Sequence, residues 1–150
     1  MSLSNSEFKE IVRNTPLVSI DLVIADPSGA ILMGWRENEP AKGTWFVPGG
    51  RIRKDERIAD AFDRIVKGET GLVRNLAESR FCGVHEHFYA SNCFAEADFG
   101  THYCVLVYLL RFDERPLITI DDQHTKVAWL TRSAAGIHAY SRAYFDLVEG

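Results

Sequence analysis

Arg36 and Arg51 stand on either side of the segment Trp45-Phe-Val-Pro-Gly-Gly50, one before it and one directly after it. Taken singly, either arginine is a surface charge. As a pair around a glycine-bearing segment they read as clamps for a small anion, because a guanidinium fork matches anionic oxygens. Asp21 lies mid-strand among apolar residues, where an unpaired carboxylate is costly, so it needs a partner. That pair either fixes the fold or serves chemistry. His85 and His87 in Val84-His-Glu-His87 share one face of an extended segment. Without a third ligand in view they make a weak metal site. His124 directly follows Gln123 on the acidic stretch Asp121-Asp-Gln-His124. Its imidazole titrates near neutral pH, as a general base must, although an isolated histidine is more often structural or exposed. Glu56 and Glu69 are either oxygen donors or solvated helix charges.

Those groups need elements to place them. Ser6 can cap a short helix over Glu7 to Arg13 that stops before Pro16. Leu17 to Ala25 is a β-rich run ending in the turn sequence Asp26-Pro-Ser-Gly29, and Ala30 to Arg36 returns as the second strand of a hairpin. Glu37 to Thr44 reads as a loop. Asp55 is the expected N-cap of a helix from Glu56 to about Thr70, with Gly71 as its stop. Ile58, Ala61, Phe62 and Ile65 recur at i, i+3, i+4, i+7 and predict its buried face. Arg80 to Tyr89, His102 to Phe112 and the shorter Val127 to Leu130 read as strands, and a last helix begins near Ser141 or slightly before. Strand-rich and helix-rich stretches alternate irregularly, which predicts a mixed sheet with helices on both faces.

The chain has 150 residues, the size of one domain, and 46% of them are apolar, enough for a core without staples. No repeat or linker divides it, so residues 1–150 are expected to form a single domain. With 17 basic against 21 acidic residues the net charge is −4, which argues against a nucleic-acid-binding surface. No apolar run is long enough to span a membrane. Cys82, Cys93 and Cys104 are an odd number without metal-ligand spacing, and the polar N-terminus lacks a signal-peptide pattern. Both features lead to the expectation of a cytoplasmic protein.

Gly50 to Leu72 resembles the Nudix signature: Gly, five residues, Glu, seven residues, then Arg-Glu-apolar-x-Glu-Glu-x-Gly-apolar. Gly50, Glu56, Arg64, Val66, Glu69, Gly71 and Leu72 match, whereas Ile65 and Gly68 stand where the family normally has two metal-binding glutamates. Residues 65, 68 and 69 lie at i, i+3, i+4 of the motif's helix, so all three would converge on metals in an ordinary member. With only Glu69 left, a single Mg²⁺ is expected rather than a cluster. The same departure marks the GDP-mannose mannosyl hydrolases. Thr15-Pro-Leu-Val-Ser, Trp45 to Arg51, Lys54-Asp-Glu56, Thr101-His-Tyr103, Asp121 to His124 and Ser141-Arg-Ala-Tyr-Phe145 are similar to that family's segments.

The resemblance implies an α+β Nudix fold, an α/β/α sandwich with a mixed central sheet. It implies hydrolysis of GDP-mannose, with GDP-glucose a second substrate, in which water replaces the diphosphate at the anomeric carbon with inversion. Mg²⁺, or Mn²⁺, would sit once per active site on Glu69, the carbonyl of Gly49 and the side chain of Gln123. Arg36 and Arg51 would hold the diphosphate, with Tyr103 donating a hydrogen bond. His124 would be the general base, and Asp21 and His87 would orient the sugar and leaving group. Arg64 would be structural, pairing with Glu56. His85 occupies a position where related sequences carry Trp. The resemblance further implies a homodimer, to which an apolar face of Phe8, Ile11 and Val12 would contribute, acting on a small nucleotide sugar with no nucleic acid or membrane as partner. The competing expectations are an ordinary Nudix diphosphatase cleaving at phosphorus, and a nucleotide-sugar-binding domain without turnover.

Overall fold

A computed structural model describes residues 2–120 and 126–150. Its centre is β1 (Leu17–Ala25), a nearly uninterrupted apolar run. Such a run signals a strand buried on both faces. β1 pairs antiparallel with β2 (Ile31–Trp35) through the expected hairpin, and parallel with β6 (Thr101–Arg111). Outside β2 lies β3 (Trp45–Phe46), and outside β6 lies β5 (Arg80–Tyr89). β4 (Gly49–Arg51) adds to β1, and β7 (Val127–Leu130) adds to β2. Among the described residues these seven strands form one mixed sheet.

Even-numbered β1 residues Ile20, Leu22 and Ile24 meet Ala61, Phe62, Ile65 and Val66 of α2 (Ile58–Thr70). Odd-numbered Val23 and Ala25 meet Ile137, Tyr144, Phe145 and Val148 on the other face. Those residues lie in and before two short helices, α3 (Ala139–Arg142) and α4 (Phe145–Glu149). The result is the α/β/α sandwich that the residues and the resemblance both predict. Asp21 shares its odd register with Val23, and that parity aims it at the α3–α4 layer.

Several boundaries differ from expectation for local reasons. α1 (Asn5–Asn14) is capped by Ser4 and not Ser6: Ser4 Oγ accepts from the Glu7 amide at 3.2 Å, and Glu7 Oε1 accepts from the Ser4 amide at 3.0 Å. This reciprocal box satisfies two otherwise orphaned donors. On its apolar face Val12 is buried and the Phe8 ring meets Phe94 edge-on at 5.8 Å. α2 begins at Ile58, with extended Arg57 at its N-cap; Asp55 takes a left-handed φ of 65° instead of capping. Glu56 is drawn out of the helix by Arg64, and Ile58 is 44% exposed in the first turn. β3 and β4 were not anticipated, because Val47-Pro48 separates two pieces too short to show a strand periodicity.

Candidate active site

Two adjoining cavities open where β1, β4, β5 and β6 meet the loop after β2. The first, of about 140 Å³, is lined by Asp21, Arg36, Arg51, His87, Tyr89 and Tyr103 among others. The second, of about 330 Å³, includes Glu69 and Glu37 in its wall, and the two share Arg36 and Gly49. The structure therefore brings together every predicted site residue that it describes. Gln123 and His124 lie outside the described residues.

Gly49 is opposite Asp21 in the β1–β4 ladder. A Cβ there would lie 2.5 Å from the Ile20 carbonyl oxygen and 2.7 Å from Asp21 Oδ1, so only glycine permits this approach. Asp21 is buried, and the Tyr144 hydroxyl donates to its Oδ2 at 2.6 Å. Burial pushes its pKa up to about 7, against the hydrogen bond from Tyr144 and the charge of Arg36. His87 is also buried, with its ring stacked on Tyr140 at 4.1 Å and 2°. Burial, then the neighbouring His85 and His138, lowers its pKa to about 4. His87 is thus a neutral hydrogen-bonding imidazole at physiological pH.

The two guanidinium groups are held by different means. Arg36 donates to the backbone carbonyls of Pro40 at 3.3 Å and Asn38 at 3.4 Å. Arg51 lies over the Phe8 ring at 4.7 Å, which gives α1 a place beside the site. The main chain at Arg51 is fixed from below, where Arg64 donates to its carbonyl at 2.9 Å. Arg64 also grips Glu56 through two bonds of 2.8 and 2.9 Å. That fork holds the Glu56 carboxyl well down, at about 2. The predicted Glu56–Arg64 pair is therefore present, and it braces the end of β4 at Arg51.

Glu69 opens to solvent at the mouth of the second cavity. The protein mass around it still raises its pKa above the ordinary carboxylate value, with Arg36 acting in the opposite direction. Among the described residues no three His, Cys, Asp or Glu side chains converge as a metal site, and His85 with His87 finds no third partner. One carboxylate beside the Gly49 main chain is a hard-oxygen donor set. Such donors fit a divalent cation such as Mg²⁺ or Mn²⁺.

The chain matches the NUDIX domain family over residues 15–148. It belongs to that family. It is similar to the low-salt glycan biosynthesis protein Agl8 of Haloferax volcanii, at 38% identity over 147 residues, covering 98% of this chain and 91% of that protein. An ADP-ribose pyrophosphatase of Methanocaldococcus jannaschii is 38% identical over 58 residues, 39% of this chain and 34% of that protein. Among solved structures, a MutT NUDIX hydrolase from Burkholderia pseudomallei superposes with a TM-score of 0.71 at 22% identity, covering 89% of this chain and 98% of that one. That likeness supports the fold. Nudix hydrolases as a class use divalent metals, in keeping with the oxygen donors here.

Against the Nudix signature, the two unmatched positions have different fates. Ile65 is buried beneath Gly50, where an added Cβ would come within 3.1 Å of its Cγ1. Gly68 faces open space. Tyr89, Tyr140 and Tyr144 are site residues that sequence reasoning missed. Aromatic residues in a C-terminal amphipathic stretch look like core, and the available signal was the donor that buried Asp21 required.

Proposed function

We propose that this Nudix hydrolase releases free sugar from GDP-mannose, and from GDP-glucose, by inverting substitution at the anomeric carbon. The observation that carries the reading is the make-up of the site: of the three signature positions 65, 68 and 69 only Glu69 offers a carboxylate, Arg36 and Arg51 line the adjoining cavities, and position 65 is committed to the core. Cleavage at phosphorus draws on several metals to drive water onto a crowded anionic centre. Departure of a diphosphate from carbon needs its new negative charge stabilised, and two arginines suit that demand. The similarity to a glycan biosynthesis protein agrees with a sugar-bearing substrate.

In this reading Arg36 and Arg51 bind the diphosphate, and Tyr103 donates a hydrogen bond to it. Asp21 and neutral His87 accept and donate hydrogen bonds at the sugar side of the first cavity. His124 takes the proton of the attacking water as its oxygen bonds to the anomeric carbon, and the breaking carbon–oxygen bond leaves its electron pair on GDP. A divalent cation held by Glu69, the Gly49 carbonyl and Gln123 supplies, when bound, further neutralisation of the diphosphate. The free thiols of Cys82, Cys93 and Cys104 accord with a reducing compartment, the cytoplasm. Among the described residues no helix is long and apolar enough to cross a membrane. A homodimer belongs to the same proposal, and sedimentation measures it directly.

The partial similarity to a pyrophosphatase favours a second reading, attack at phosphorus to give GMP and a sugar phosphate. Hydrolysis in ¹⁸O-labelled water separates the two. Label on the sugar, with the β-anomer formed first from the α-linked substrate, is the expected result. Label in a phosphate product would reject substitution at carbon.

A further inference from the structure

The segment Tyr140 to Tyr144 touches the site at three points that its sequence does not advertise. The Tyr140 ring stacks flat on His87, and its hydroxyl is pinned at the Phe88 main chain, accepting from the amide at 3.0 Å and donating to the carbonyl at 3.1 Å. Ser141 is fully buried, and its Oγ accepts from the Val47 amide at 3.1 Å, two residues before Gly49. Tyr144 is also fully buried. Its hydroxyl donates to Asp21 Oδ2 at 2.6 Å and lies 3.4 Å from His87 Nε2. β1, β5 and the β3–β4 connection are thereby tied to one short stretch of chain.

We propose that Tyr144 is a positioning residue of this site, fixing the orientation of Asp21 through its hydroxyl while Tyr140 fixes His87 from the ring face. The assignment goes beyond the proposed function, on which it rests only for its effect on turnover. The hydroxyl donates its proton to Asp21 Oδ2, which leaves the Tyr144 oxygen free to accept from a protonated Nε2 of His87. Without that donor, Asp21 keeps its burial but loses the contact that holds its rotamer. Geometric slack of this kind reduces turnover more than binding, because the reacting groups must be aligned in the transition state. The C-terminal segment, remote in sequence from both residues it holds, thus sets the geometry of the sugar side.

Tyr144→Phe removes one oxygen and keeps the buried ring. Its kcat on GDP-mannose should fall about 10- to 100-fold, the range of a small misplacement in the site. KM should stay within about threefold of wild type if ground-state binding is untouched. Added to Asp21→Asn, Tyr144→Phe should cost nothing further in kcat, because it acts through that carboxylate. A wild-type kcat, or the same fold loss in both backgrounds, would overturn the assignment. The contact itself is read without substrate. The Tyr144 hydroxyl proton should appear by NMR as a slowly exchanging signal, absent in Tyr144→Phe and shifted in Asp21→Asn. That signal left unshifted in Asp21→Asn would refute the contact, whatever reaction the protein catalyses.

Discussion

Restoring the two missing signature glutamates tests whether Ile65 and Gly68 are changes to the site alone or to the fold beneath it. Ile65 is 3% exposed and packs with Ile20, Leu22, Phe62 and Val66. Burying an isoleucine side chain contributes about 1.5–3 kcal/mol, which Ile65→Glu forfeits. A carboxyl group buried there without a hydrogen-bond partner costs about 1–3 kcal/mol more. The variant should therefore lose about 3–5 kcal/mol, a large part of the roughly 5–15 kcal/mol that holds a domain folded. Gly68 is the opposite case: it lies within α2, and a Cβ there meets nothing within 4 Å. Gly68→Glu should gain about 0.5 kcal/mol from helix propensity alone. Urea denaturation of the two single variants, with matched slopes, measures both numbers. A loss below about 1 kcal/mol in Ile65→Glu would mean that position 65 reaches the cavity and that the argument from burial is wrong. Neither variant should release mannose faster than wild type, since neither adds a charge that departure from carbon requires.

The remaining expectations concern the pairs and charges around the cavities. Glu69→Gln should lower turnover strongly and raise the Mg²⁺ concentration needed for half-maximal rate; wild-type behaviour at limiting Mg²⁺ would remove Glu69 from the metal site. Arg36→Ala and Arg51→Ala should each cost about 10²-fold in turnover, and a change confined to KM would make that arginine a uniform binding residue. The Glu56 carboxyl, held down to about 2 first by the Arg64 fork, contributes stability that is present above its unfolded value of 4.5 and is lost as pH falls through 2. Glu56→Gln should lower stability near neutral pH by about 2 kcal/mol and flatten its pH dependence across that window, as followed by thermal melting in a pH series.

Much of the sandwich was legible because its signals are local. The nearly continuous apolar run that buries β1 on both faces, the turn at Asp26 to Gly29 and the α2 face of Ala61, Phe62 and Ile65 each declare themselves within a few residues. Helix starts were less legible. Ser4 and Ser6 are equally good caps on paper, and the choice fell to the residue whose third neighbour onward, Glu7, reaches back. Glu56 looked helical until Arg64, a turn and more away, drew it into the loop.

The sequence by itself determined the Nudix signature, its two departures and the roster of chemical groups, because residue type and spacing along one helix and its flanking loops carry that information. It determined that Arg36, Arg51 and Glu69 were available, and that Asp21 would need a partner. Only the tertiary structure decided which partner. Tyr144 lies 123 positions from Asp21, and the two meet because the parity of β1 aims Asp21 at the helical layer that the C-terminus happens to build. It likewise decided that position 65 belongs to the core and position 68 to solvent, although both sit on the same motif. Spacing tells which residues share a side of a helix; what lies opposite that side depends on strands brought there from elsewhere in the chain.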